Sequence, residues 1–322
     1  MAGRIVLLVT SPRLPAGLLT ADAWDLVRHH RVLAAAESDL TAALTTVGAS
    51  VTLTAPRADD LLAAVAEHAT VVWLAGPSGD EALARELGLR LASEPALAEM
   101  ELMYGSWDPP GARLLDVVTV MDRLAGPGGD PWKRQQTHQT LARFLMEEAY
   151  EAHDAIAAGD LAALREELGD VLLQVVLHAR MAEEADPPWS IDDLAGELVE
   201  KLVRRNPHVF GGPELTDVDE ITAAWERIKQ EEKGRRSAVD GIVLTQPALA
   251  LAAKVLSRME RAGLAVPESA LGADADVTDE RSLGALLLAL AEAARRKGID
   301  PEGALRTATL ALADRVRAAE LE

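Results

Sequence analysis

The most informative hydrophobic pattern lies between residues 134 and 180, where apolar positions recur at helical spacing in two successive segments. Gly159-Asp160 separates the segments and is a helix stop followed by an N-cap residue. The pattern therefore predicts two amphipathic helices joined by a tight turn. The first apolar stripe contains Leu141, Phe144, Leu145, Ala152, Ala155 and Ile156, and the second contains Leu164, Leu168, Val171, Leu172 and Val175.

Carboxylates interrupt both stripes at positions where leucine is expected. Glu148 lies in the first stripe with Glu151 beside it, and Glu167 lies in the second with Asp170 at its edge. Two like charges about 4 Å apart repel by roughly 4 kcal/mol at an effective dielectric near 20, so four half-buried anions are expected to protonate or to hold a cation.

A solvated helix face is the alternative interpretation of these acids. Such a face usually pairs acidic residues with Lys or Arg three or four positions later. No such partner follows any acid of this stretch, and a metal site is therefore favoured. The acids are Glu147, Glu148, Glu151, Glu166, Glu167 and Asp170.

The ligand type limits the metal. A set of carboxylate oxygens suits a hard ion, Mg²⁺ or alternatively Mn²⁺. Magnesium keeps several waters and commonly joins protein carboxylates to substrate phosphates. A nucleotide or another polyphosphate is therefore the expected substrate.

Five sequence blocks carry a family resemblance. EEAYE (147–151) and EELGD (166–170) resemble the EExxE…ExxD signature of the all-α nucleoside triphosphate pyrophosphohydrolases. PWKRQQTH (131–138), KLVRRNPHVF (201–210) and AWERIKQEEK (224–233) are similar to further blocks of their MazG branch, in the same order. The resemblance implies a mainly α chain, with a MazG-like helical bundle over residues 112–236.

The resemblance also implies an activity, the Mg²⁺-dependent hydrolysis of a nucleoside triphosphate to a monophosphate and pyrophosphate by a homodimer. The implied metal ligands are Glu148, Glu151, Glu167 and Asp170, and either Glu147 or Glu166 would orient or deprotonate the attacking water. The implied substrate-binding residues are Trp132, Lys201, Arg205, Trp225 and Lys229.

Several alternatives stay open. Trp132 and Trp225 could fill core, and Lys201 with Arg205 could be a basic helix end that complements the dipole. Broad base specificity is expected, with a narrow dCTP or dUTP pyrophosphatase as one alternative. A non-catalytic nucleotide-binding scaffold is the other, although residues 147–170 retain every motif carboxylate.

Residues 1–107 differ from the rest because apolar runs alternate with helical patterns, which predicts a small α/β unit with a mainly parallel sheet. SPRLPAGLLTADAW (11–24) is similar to the first strand, loop and helix of the tetrapyrrole methylase fold. Ser11-Pro12-Arg13 stands where such methylases have glycines. We therefore interpret the unit as a truncated remnant without methyl transfer. The strand candidates are Arg4–Thr10, Arg31–Ala36, Val51–Thr54 and Thr70–Ala75.

The region after residue 240 contains an internal repeat. Arg165–Asp170 and the following VLLQVVLHAR align with Glu280–Ala285 and the following LLLALAEAAR. The apolar framework is kept, but Ser282 and Ala285 replace Glu167 and Asp170. Residues 240–322 are therefore predicted to form a degenerate second MazG-like helical half that holds no metal.

Composition limits partners and compartment. A net charge of −20 argues against a nucleic acid polymer as partner, because phosphate backbones require basic surfaces. The chain has no cysteine, which fits a reducing cytoplasm. No apolar stretch is long enough to cross a bilayer, so no membrane association is expected. We therefore expect a cytoplasmic protein.

Overall fold

The structure is a computed structural model of the 322-residue chain, and it describes residues 3–76, 80–212, 216–233, 237–265 and 277–320. The chain forms two compact units, Met1–Gly196 and Glu197–Glu322. The domain limits expected from sequence, 1–107, 112–236 and 240–322, follow composition and motif order and remain a prediction.

A five-stranded parallel sheet organises the first part of the first unit, with the strand order β3-β2-β4-β1-β5. Its central strands are buried on both faces, as their continuous apolar runs require. Ile5 and Leu7 face one core cluster while Val6 and Leu8 face the other. The strands are β1 Gly3–Val9, β2 Arg31–Ala34, β3 Val51–Leu53, β4 Thr70–Ala75 and β5 Ala98–Tyr104.

The four predicted strands are confirmed as β1 to β4, whereas β5 was not predicted from sequence. β5 pairs with β1 in parallel, with Val6 opposite Glu101, and forms an edge of the sheet. Its sequence, AEMELMY, lacks the apolar run of a central strand because most of its residues are exposed. Arg4 on β1 forms an ion pair with Glu101 at 2.6 Å.

Four helices surround the sheet. The hydroxyl of Thr20 accepts a hydrogen bond from the Ala23 amide and caps the first helix. Ser38 and Thr41 form a capping box at the start of the second. The helices are α1 Ala21–His29, α2 Asp39–Thr46, α3 Ala58–His68 and α4 Glu81–Ser93.

The predicted helical hairpin is confirmed. Thr137 caps its first helix, Gly159 ends that helix with a φ of 70°, and Asp160 caps the second through the amides of Ala162 and Ala163. A helix that precedes the hairpin packs against its second helix. The elements are α5 Arg113–Ala125, a 3₁₀ turn Lys133–Gln135, α6 His138–Ala158 and α7 Leu161–Ala182.

The core of the hairpin is narrower than the predicted stripes. Met121, Leu141, Val176 and Leu177 form its buried cluster. Three positions of the predicted stripes are exposed: Leu145 at 36%, Ile156 at 62% and Leu168 at 52%.

Helices make up the described parts of the second unit. Ser190 and Asp193 form a capping box before α8. At the start of α9 the Asp217 carboxylate accepts a hydrogen bond from the Glu220 amide. The helices are α8 Ile191–Arg205, which begins in the first unit, α9 Val218–Lys233, α10 Ala248–Arg261, α11 Glu280–Arg296 and α12 Pro301–Glu320.

α11 carries the second copy of the internal repeat and is helical as the alignment requires. Glu292, 5% exposed, accepts hydrogen bonds from Arg295 and Arg296 and fixes the end of this helix. The connection between α10 and α11 is shorter than α6, which argues against a second metal site, and its residues 266–276 lie outside the described residues. The degenerate second half remains a prediction. None of the described helices is long and apolar enough to cross a membrane.

Candidate metal centre

Three carboxylates of the hairpin converge on one point. Glu148 and Glu151 lie one turn apart on α6, and Glu167 faces them from α7. Each offers an oxygen, and these oxygens all lie within 4.8 Å of one another. The tight turn at Gly159 produces this arrangement because it places the two acidic segments opposite each other.

The pKa values of Glu148 and Glu167 are raised. Burial raises the pKa of Glu148, and the negative charges of Asp170 and Glu151 raise it further. Burial also raises the pKa of Glu167, followed by the charge of Glu151. No Lys or Arg among the described residues forms an ion pair with these carboxylates, so no described ion pair compensates their repulsion.

The group fits a hard divalent cation. Three carboxylate oxygens with uncompensated charge are the donor set that Mg²⁺ and Mn²⁺ prefer. Bringing such an ion between them would replace repulsion with attraction. The chemistry of the donors thus agrees with the metal expected from sequence.

Asp170 is near this group but does not belong to the three that converge. It lies one turn after Glu167 on α7, is half-buried, and its charge is the second largest cause of the raised pKa of Glu148. Its role as a fourth ligand remains a prediction. Glu147 and Glu166 are exposed beside the group, and their role toward water is likewise untested.

A histidine pair at the open end of the hairpin was not recognised from sequence. The Nδ1 atoms of His138 on α6 and His178 on α7 lie 2.7 Å apart, with the two rings nearly parallel at an angle of 5°. Burial lowers the pKa of His178, and the charge of His138 lowers it further. His138 and His178 lie at similar distances along the chain on either side of Gly159, and this spacing was the sequence signal that could have revealed the pair.

Trp132 lies just before the hairpin and is 50% exposed. Its ring meets the edge of Phe144 at 5.8 Å between centroids, and the amino group of Lys133 lies 5.6 Å from its centroid. Trp132 is therefore half-buried, which agrees with neither a purely structural anchor nor a fully open stacking surface.

The second unit brings together three of its four predicted substrate residues. The amino group of Lys229 lies 4.3 Å from the Trp225 ring centroid, and the Arg205 guanidinium lies 5.7 Å from it. Lys201 is half-buried one turn before Arg205 on α8. The structure therefore forms a cationic group around one indole ring.

Glu232 joins this group and was missed from sequence. Arg205 donates to its carboxylate at 2.6 Å and Arg204 at 2.7 Å, and these hydrogen bonds lower its pKa to about 2. Glu232 lies seven residues after Trp225 and three after Lys229, so helical spacing on α9 was the available signal. Any phosphate that binds Arg205 must compete with this carboxylate.

The Glu232 ion pairs predict a pH-dependent stability. Because the pKa is lowered on folding, the pairs stabilise the protein above the unfolded pKa of about 4.3, and this stabilisation is lost as pH falls toward about 2. The free energy of unfolding in urea should thus be lower for Glu232→Gln than for the wild type at pH 7, and the difference should shrink below about pH 4.3. Exposed Glu220→Gln on the same helix is the control and should show no such difference. A Glu232→Gln difference that persists unchanged at pH 3 would contradict the assignment.

Comparison with known proteins places these residues in a family. A family model described as "MazG nucleotide pyrophosphohydrolase domain" matches residues 136–210. This range contains the converging carboxylates, Lys201 and Arg205, whereas Trp132, Trp225 and Lys229 lie outside it.

Relatives extend the similarity over most of the chain. An "Uncharacterized 26.1 kDa protein in blaB 3'region" of Streptomyces cacaoi is 50% identical over 246 residues, covering 76% of this chain and 96% of the relative. A protein of Mycobacterium tuberculosis named "Nucleoside triphosphate pyrophosphohydrolase" is 43% identical, covering 65% of this chain and 59% of its own length. One of the same name from Escherichia coli is 37% identical, covering 63% of this chain and 86% of its own length.

Proposed function

Since the chain belongs to the MazG nucleotide pyrophosphohydrolase family, we propose that it hydrolyses nucleoside triphosphates to nucleoside monophosphates and pyrophosphate with the help of a divalent cation. The observation that carries the proposal is the convergence of Glu148, Glu151 and Glu167 within 4.8 Å between the two helices of the hairpin.

Glu148, Glu151 and Glu167 would hold the ion, with Asp170 as the fourth ligand, and Mg²⁺ is preferred over Mn²⁺. A divalent ion bound there supplies charge neutralisation at phosphate oxygens. To bind the ion, Glu148 and Glu167 must also be ionised at neutral pH, although burial and mutual repulsion raise their pKa values.

The remaining groups position substrate and water. A carboxylate oxygen of Glu147 or Glu166 takes the proton of the attacking water, and attack is directed at the α-phosphorus. Lys201, Arg205 and Lys229 bind phosphates, because Lys offers a compact charge and Arg a fork for two oxygens. Trp225 and Trp132 stack on the base. We further propose a homodimer that functions in the cytoplasm.

Base specificity is proposed to be broad, because the proposed contacts to substrate consist of charges for phosphates and flat aromatic faces that accept any base. A narrow dCTP or dUTP pyrophosphatase and a non-catalytic nucleotide-binding scaffold are the alternatives. Hydrogen bonds to base edges would be required for the first, and loss of the motif carboxylates would be the signature of the second.

One assay separates these functions. Pyrophosphate release is measured from the eight common ribo- and deoxyribonucleoside triphosphates, with Mg²⁺ and with a chelator. The proposal requires release from several bases, dependent on Mg²⁺. Release from dCTP or dUTP alone would favour the narrow enzyme, and no release from any nucleotide would favour the scaffold.

A further inference from the structure

A cavity lies at the carboxyl edge of the parallel sheet, far from the hairpin carboxylates in sequence. Its volume is about 640 Å³, which is in the range of small-molecule sites. The loops that follow β1, β2 and β4 line it, at residues 10–19, 34–41 and 74–76. In α/β sheets this edge is where ligands bind.

The sheet order places the cavity at a topological switch point. β1 and β4 are neighbours, but the chain leaves β1 toward α1 on one face of the sheet and leaves β4 toward α4 on the other face. The two loops therefore diverge and leave a crevice between them, which is the general origin of ligand sites in doubly wound sheets.

Phosphate is not a suitable occupant of this crevice. The hydroxyls of Thr20 and Ser38 already accept hydrogen bonds from the first-turn amides of α1 and α2, which would otherwise bind an anion. Pro12 and Pro15 in the loop after β1 carry no N–H. The described lining therefore provides few backbone donors for a phosphate group.

Arg13, the one basic side chain in the described lining, is already committed. Its guanidinium, 10% exposed, donates to Asp116 at 2.6 Å and to Asp108. Its Nε is buried and lacks an acceptor among the described residues. Two carboxylates neutralise its charge, while its Nε remains a buried donor without a described acceptor. Buried polar atoms without a hydrogen-bond partner are rare in folded proteins.

The groups of the described lining that can contact a ligand are hydrogen-bond acceptors and apolar side chains. Glu37 follows β2, is exposed at the crevice, and has no hydrogen bond or ion pair to the described residues. An acidic residue shortly after a strand at this edge is the group that binds ribose hydroxyls in many α/β folds. Leu18, Leu19 and Leu40 supply apolar faces against which a base can pack.

We propose that this crevice binds a ribonucleoside without phosphate, with Glu37 accepting hydrogen bonds from the ribose hydroxyls and the leucines contacting the base. The site would be separate from the hairpin carboxylates and does not depend on the proposed pyrophosphohydrolase activity. It gives the α/β unit a ligand-binding role in place of methyl transfer.

The test is calorimetric titration of the full chain with adenosine and cytidine in the presence of a chelator, so that metal-dependent binding at the hairpin is absent. Saturable binding of one ribonucleoside per chain is expected. The matching 2′-deoxynucleoside should bind about tenfold more weakly, because one hydrogen bond to a charged acceptor is lost. Glu37→Ala should weaken binding of the ribonucleoside at least about tenfold.

Glu86→Ala, an exposed acid on α4 outside the cavity, is the matched control and should bind like the wild type. Pyrophosphate release by Glu37→Ala should equal that of the wild type, so failure of the nucleoside site and failure of the proposed activity can be told apart. A loss of release in Glu37→Ala would overturn the separation of the two sites.

Four further results would overturn the proposal. These are the absence of saturable binding of either ribonucleoside up to about 1 mM, unchanged binding by Glu37→Ala, tighter binding of a nucleoside monophosphate than of its nucleoside, and S-adenosylmethionine binding more than about tenfold tighter than adenosine. The last result would assign the crevice to a methyl donor, because the protein would then recognise the sulfonium and amino acid groups of S-adenosylmethionine, which adenosine lacks.

Discussion

Alanine at Glu148, Glu151 or Glu167 is expected to lower kcat/KM for nucleoside triphosphate hydrolysis by about 10³-fold or more. Each substitution removes one of the three oxygens that converge within 4.8 Å, and the two that remain cannot hold a divalent ion in a defined position. Asp170→Ala should also lower kcat/KM, as expected when the fourth ligand is removed. Initial rates of pyrophosphate release at saturating Mg²⁺ measure the effect.

The same variants should fold normally, and without metal they should be as stable as the wild type or more stable. Burial and mutual repulsion raise the pKa values of Glu148 and Glu167, so removing one charge relieves an unfavourable interaction. Asp154→Ala, an exposed acid on α6, is the control for charge alone and should leave turnover unchanged. The assignment is wrong if two of the ligand variants retain near-normal turnover.

Leu177→Ala is expected to lower the free energy of unfolding by about 2–5 kcal/mol, because it leaves a cavity in the small core that joins α5, α6 and α7. Leu177 is 1% exposed and packs in one cluster with Met121, Leu141 and Val176. The matched substitution Leu161→Ala, at a residue 77% exposed, should change stability by less than about 0.5 kcal/mol. Urea unfolding of the three proteins measures both values.

This core also fixes the distance between the acidic segments. α6 contributes Leu141 and two metal-site acids, and α7 contributes Leu177 and the third. Leu177→Ala should therefore weaken divalent metal binding even under conditions where it remains folded. Equal stability of Leu177→Ala and Leu161→Ala would contradict the packing described for the hairpin.

The hairpin and its acids were predictable because the signal is local. Glu148 and Glu167 interrupt apolar stripes, and Gly159-Asp160 marks the turn that places them opposite each other. The central strands β1 and β4 were equally predictable, since burial on both faces requires continuous apolar runs. Periodicity of either kind depends only on the sequence near each residue.

Features that depend on distant partners were not predictable. β5 carries Glu99 and Glu101 and is a strand because β1 offers it a free edge. Pairs such as His138–His178 and Arg205–Glu232 join different helices, so neither residue alone marks the contact. Leu145 and Leu168 have the spacing of core residues and yet are exposed, because periodicity shows which face is apolar and not whether another element covers it.

The central claim is that the hairpin carboxylates hold the divalent ion on which hydrolysis depends. Titration of Mn²⁺ into the full chain, with free ion followed by electron paramagnetic resonance, tests it most directly. We predict saturable binding to the wild type and a loss of at least about tenfold in affinity for a Glu151→Gln, Glu167→Gln variant that keeps the wild-type helical content. Mn²⁺ binding to that variant with unchanged affinity and stoichiometry would contradict the account.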